Sequence, residues 1–109
     1  MRADLISGIE NGGVFMYSTK EVLEQMGLNK FDVYVSYEGG MLTSLYENVN
    51  AGKLETDDYT GSIRYTLFIG NESCLKLSSK FEFTKKDEDT FICDRGELYI
   101  KIKRLKITY

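Results

Sequence analysis

Apolar and polar residues alternate with a period of two through most of the second half of the chain. Ile63, Tyr65, Leu67 and Ile69 alternate with Ser62, Arg64, Thr66 and Phe68, and Gly70-Asn71-Glu72 supplies a turn. Leu75, Leu77, Ser79, Phe81 and Phe83 then hold one parity against Lys76, Ser78, Lys80 and Glu82. KKDED at 85–89 reads as a charged turn, and Asp94-Arg95-Gly96 as a hairpin loop between Phe91–Cys93 and a last strand from Leu98 onward. That last strand changes parity: Leu98, Ile100 and Ile102 are even, whereas Leu105, Ile107 and Tyr109 are odd. A strand of period two changes parity only by inserting a residue, so a β-bulge is expected near Lys103-Arg104. The other solution is two short strands with a kink.

The first half is more mixed. Residues 3–10 (ADLISGIE) read as a short helix with Leu5, Ile6 and Ile9 on one side, ended by Asn11-Gly12-Gly13. Val14 to Tyr17 is a brief strand. Ser18 stands three residues before Glu21, the spacing of a capping box, and Val22, Leu23 and Met26 make an apolar stripe that Gly27 closes. Phe31, Val33, Val35 and Tyr37 then alternate with Asp32, Ser36 and Glu38, as a half-buried strand does. Met41, Leu42, Leu45, Tyr46 and Val49 follow at spacings of one, three and four, which favours a helix over 41–50. The Thr, Ser, Asn and Val content there is weak helix material, and it leaves a loop or hairpin open. Residues 50–61 (NAGKLETDDYTG) read as a polar surface connection.

In words, YSTKEVLEQMGLNKFDVY resembles the start of helix-turn-helix domains of the excisionase and MerR kind. Ser18–Glu21 would open the first helix, Gly27 would make the turn and Val33 would pack the second helix. The resemblance implies DNA binding through a recognition helix beginning near Asn29. Three features of the residues oppose it. Leu23 occupies the helix crossing, where that motif wants a small side chain. Lys30 is set against Asp32 and Glu38, an unfavourable charge for approaching phosphates. The period of two from Phe31 to Tyr37 is that of a strand. The residues themselves therefore read as a helix followed by a strand.

Together these elements predict a single α+β domain over residues 1–109. Its antiparallel β-sheet of five or six strands would carry two or three short helices packed on one face, in two layers. The length of 109 residues is that of one domain able to bury roughly two-thirds of its unfolded surface, without staples. No apolar run approaches the roughly 18 residues that span a bilayer, and MRADLISGIE is not a signal peptide, so a cytoplasmic protein is expected. Cys74 and Cys93 suit that compartment as free thiols. Proline is absent, so no strand is interrupted by it.

Charge narrows the function classes. The net charge of −3 lies in residues 1–54, whereas residues 55–109 are neutral; within that neutral half, 101–109 carry Lys101, Lys103, Arg104, Lys106 and no acid. A general nucleic-acid binder is basic overall, and this chain is not. With no histidine, the commonest general base, the Ser-His and Cys-His pairs and most zinc sites are missing. The carboxylate groups Glu55/Asp57/Asp58 and Asp87/Glu88/Asp89 fall in expected loops and read as solvated charge. The second lacks the glycine and closing glutamate of a calcium loop. No glycine-rich phosphate loop follows a strand. Neither catalysis nor a cofactor is expected.

Binding is what remains. Tyr34, Phe68 and Tyr99 have the parity opposite the main apolar set, and helices on one face would leave them partly exposed as partner-binding residues. Lys101, Lys103, Arg104 and Lys106 form a candidate basic patch, although lysine on an edge strand also protects sheets from pairing with each other. The first expectation is a small non-catalytic module that binds another protein. Such a domain suits an accessory or inhibitory protein of a phage or other mobile element. The alternative is a nucleic-acid binder using residues 17–35 or the C-terminal basic strand.

Overall fold

The computed structural model describes residues 15–57 and 62–106, with the side chains of 52–57 and 62 outside the description. One sheet dominates it. The elements run β1 Met16–Ser18, α1 Thr19–Met26, β2 Phe31–Tyr37, a 3-10 turn at Glu38–Gly40, β3 Leu42–Asp57, β4 Ser62–Ile69, β5 Glu72–Ser78, β6 Glu82–Asp87, β7 Thr90–Asp94 and β8 Leu98–Arg104. The sheet has eight strands in the order β1-β6-β7-β8-β2-β3-β4-β5, every pair antiparallel. It curls into a half-barrel. Two sequence-local meanders, β2 to β5 and β6 to β8, are joined by the long-range β2–β8 ladder.

The expected α+β two-layer domain is thereby corrected. The described residues form a mostly β half-barrel with eight strands and one helix, not five or six strands with two or three helices. Two local effects account for the difference. The segment expected to favour a helix, 41–50, lies, from Leu42 on, within the 16-residue strand β3. Part of its misleading spacing comes from a bulge: Tyr46 pairs with Val33 and Val49 with Phe31, so β3 has one residue more than β2, while Leu42 and Leu45 lie on opposite faces of the strand. Asn48 takes φ +56° there, and its backbone N–H donates to Asp32 Oδ1 at 3.1 Å. The inserted residue gives two neighbouring inward positions a helix-like spacing of three. Much of the expected surface connection at 50–61 is also strand, since β3 runs on to Asp57.

The second effect is a turn without glycine or proline. The alternation over 75–83 divides into β5 and β6 at Ser79-Lys80, where Ser78 Oγ accepts from the Lys80 N–H at 3.1 Å. Parity survives the turn, so hydrophobic patterning does not reveal it. The bulge expected near Lys103-Arg104 is also absent. β8 pairs without interruption with β2 from Leu98↔Tyr37 to Arg104↔Phe31, and then it ends. The helix expected at 3–10 and the expected inward positions 107 and 109 lie outside the described residues.

The segment from Ser18 folds as its residues dictate. Ser18 Oγ accepts from the Glu21 N–H at 3.2 Å, and Glu21 Oε1 accepts from the Ser18 N–H at 2.9 Å, closing the capping box. Gly27 stops the helix at φ +60° and ψ −127°, a conformation that a side chain resists. A helix of eight residues is too short to persist alone. Burial of Val22, Leu23 and Met26, worth about 1.5–3 kcal/mol each, holds it on the inner face. These three belong to one buried cluster with Phe31, Val33, Phe83, Phe91, Ile100 and Ile102 of the sheet. Thr19 Oγ1 also donates to the Ser78 carbonyl at 2.7 Å, tying the first helical turn to the end of edge strand β5. No second helix follows: Phe31–Tyr37 is a strand, and the helix-turn-helix arrangement is not formed.

Candidate binding site on the outer sheet face

β2 and β8 lie side by side in the middle of the sheet. Their inward residues Val33, Val35, Ile100 and Ile102 are buried, so the opposite parity faces outward on a rigid platform. Register sets what meets there. Lys101 is directly opposite Tyr34, Lys103 is opposite Asp32, and Tyr99 is opposite Ser36, diagonal to Tyr34. The two tyrosine rings contact edge to face, with centroids 6.1 Å apart and planes at 71°. On the other side of β2, Leu45 is opposite Tyr34. Asp32, Tyr34, Leu45, Tyr99, Lys101 and Lys103 line an open pocket of about 320 Å³.

The pocket combines three kinds of contact. Tyr34 and Tyr99 are half-buried, each offering part of a ring and a hydroxyl group. Leu45 is 58 % exposed and supplies an aliphatic rim. Neither Lys101 nor Lys103 joins an ion pair among the described residues, whereas the Asp32 carboxylate is engaged by the Asn48 N–H. Two lysines against one aspartate line the pocket, with the exposed Asp94 opposite Tyr99 on the neighbouring strand β7. The bulge in β3 thus orients the Asn48 N–H onto Asp32 at the pocket wall.

The sequence-predicted residues are divided by the structure. Tyr34, Tyr99, Lys101 and Lys103 come together, joining two sets that parity alone had treated separately. Phe68 does not: it is half-buried on β4 opposite Asn50, beyond β3 and the bulge. Arg104 and Lys106 are occupied elsewhere. Arg104 Nε donates to Asp89 Oδ1 at 2.9 Å, Nη1 to the Gln25 carbonyl at 3.0 Å and Nη2 to the Glu88 carbonyl at 2.8 Å. Lys106 Nζ lies 3.2 Å from Asp89 Oδ2. Arg104 thus clamps the end of α1 to the β6–β7 turn, and Lys106 joins that turn at Asp89. Asp32 and Leu45 are the pocket residues that sequence reasoning did not single out. Asp32 shares Tyr34's parity, but only the β2–β8 register sets it against Lys103.

The acidic turn is likewise built into the fold. The Arg104 guanidinium, with Lys106 beyond it, holds the Asp89 carboxyl below its usual range, and the Asp89 N–H and Thr90 side chain do the same for Asp87. No group of three or more metal-ligating side chains gathers among the described residues. Cys74, half-buried, and Cys93, buried, are free thiols whose pKa burial raises, which disfavours the nucleophilic thiolate. No described helix is long and apolar enough to cross a membrane. The chain matches no protein-family model, no curated protein and no solved structure.

Proposed function

We propose that this protein is a non-catalytic binding module that docks a partner protein in the pocket between Tyr34, Tyr99, Lys101 and Lys103. The observation that carries this reading is the meeting, on one sheet face, of a tyrosine pair with two lysines that join no ion pair among the described residues. Interface hot spots are enriched in such aromatic anchors, because they bury a large area at small entropic cost. The partner segment places an apolar or aromatic side chain against Tyr34, Tyr99 and Leu45, with a carboxylate near Lys101 and Lys103.

A second reading draws on the same juxtaposition: a single nucleic-acid strand stacked on the tyrosines with its phosphates at the lysines. Magnitudes favour the first. Two lysines neutralise about two phosphates, a salt slope of about 1.4 and a loss of only about sevenfold in affinity between 50 and 200 mM salt. Such a contact is weak for a chain of net charge −3. Capture from lysate treated with nuclease tests the choice. A partner protein retained after nuclease and lost in Tyr99→Ala, with circular dichroism unchanged, is the expected result. Truncating such an anchor costs about 2 kcal/mol or more, roughly thirtyfold in affinity. Capture abolished by nuclease, or indifferent to Tyr99, contradicts the proposal.

A further inference from the structure

A second surface lies at one end of the same β2–β3 hairpin, on the other parity. Among the described residues eight large apolar side chains are exposed, and four of them, Tyr37, Met41, Leu42 and Leu45, belong to this hairpin. Leu45 borders the pocket described above. Tyr37 and Leu42, paired across the hairpin, share the parity of the core residues Val33 and Val35 but stand 43 % and 57 % exposed. The reason is reach. Eight residues of helix span ~12 Å, whereas the seven of β2 span ~23 Å, and α1 lies toward β1 and β6, not over this end. The apolar face therefore continues past its cover, from Leu98 at the margin of the core to Tyr37, Leu42 and the 81 % exposed Met41.

Two carboxylates border it. Tyr37, Glu38, Gly39, Leu42, Glu97 and Leu98 line a broad depression where the β2–β3 turn meets the β7–β8 turn. The Gly39 N–H donates to the Glu97 carbonyl at 3.5 Å, and the Arg95 N–H to the Leu98 carbonyl at 2.8 Å, so the two turns are pinned to each other and to the sheet. Neither Glu38 nor Glu97 has an ion pair among the described residues. The cation nearest in sequence is turned away, since the Arg95 guanidinium sits 5.8 Å from the centroid of the Phe81 ring. Apolar surface with unneutralised acid at its rim complements a segment that alternates aliphatic and basic side chains. We infer that the β2–β3 hairpin end is a second docking surface, for a basic, apolar protein segment, distinct in face and in sign from the tyrosine–lysine pocket. A molecule with both surfaces joins two different partners, an acidic one on its outer face and a basic one at its end.

The test is a titration of the isotopically labelled full chain with two synthetic pentapeptides, blocked at both ends, of sequence Leu-Arg-Leu-Arg-Leu and Leu-Glu-Leu-Glu-Leu. The arginine peptide is expected to shift amide resonances of residues 37–42 and 97–98, and the glutamate peptide to leave them in place. In a Glu38→Lys, Glu97→Lys variant with unchanged circular dichroism, binding of the arginine peptide falls about tenfold or more, and in Tyr34→Ala it is retained. Three results overturn the inference: no shift at the hairpin end, equal shifts with both peptides, or equal affinity in the charge-reversed variant. A concentration-dependent dimer lost in Met41→Asp also overturns it, because it would assign the surface to a second copy of the chain.

Discussion

The same two strands are closed at one end and open at the other. Where β2 begins and β8 ends, Phe31 and Ile102 are fully buried in the cluster that takes in the apolar stripe of α1, and Arg104 fastens the end of that helix to the β6–β7 turn. Where β2 ends and β8 begins, Tyr37 and Leu42 are exposed around a turn that includes Glu38 at φ +53°. Patterning is equally strong at both ends, so the difference lies in what covers the strands. One short helix can seal only part of a long sheet. The sealed end holds the wholly buried residues, and the contacts proposed above fall on the outer face and the open end.

Substitutions at the two ends should separate this division by size. Phe31→Ala removes a wholly buried ring from the core cluster and is expected to cost about 3–5 kcal/mol in urea unfolding. Leu42→Ala at the open end should cost less than about 1 kcal/mol, and equal losses at the two positions would break the comparison. Arg104→Ala withdraws the charged donor from the Gln25 and Glu88 carbonyls, a loss of about 1–2 kcal/mol. Ser18→Ala opens the capping box for about 1 kcal/mol, within the usual range of such caps. The smallest effect is on pH. Because Asp89 has its folded pKa lowered, its contribution is present above the unfolded carboxyl value and is lost as pH falls through the folded one. An acid-side loss of stability that disappears in Arg104→Ala would show that the clamp is its source.

How much of this was legible in the chain depends on whether a feature is local. The helix from Ser18 to Gly27 is written in adjacent residues, a capping pair, an apolar stripe and a terminal glycine, and it was readable. So was β2, through its alternation. β3 was not, because a bulge at Glu47-Asn48 gives a strand the spacing of a helix, and nothing in the sequence marks an inserted residue. The β5–β6 break was hidden because the turn at Ser79-Lys80 ends one strand before the next without the usual turn residues. In the site, parity alone placed Tyr34, Tyr99, Lys101 and Lys103 on outward faces. Their meeting depends on the β2–β8 ladder, which joins segments far apart in sequence and leaves no local trace. The expected bulge extended the basic stripe to Arg104 and Lys106; without it they have the other parity, lie at the strand's end and beyond it, and turn to Asp89.

Site-specific photo-crosslinking in lysate treated with nuclease tests the central claim most directly. A benzophenone side chain is placed at Leu45 on the pocket rim or, as a control, at the fully exposed Leu28. The account predicts one partner protein joined through position 45 and not through 28, with the adduct lost when Tyr34 and Tyr99 are changed to Ala. Equal labelling from both positions, or an adduct indifferent to the two tyrosines, would contradict it.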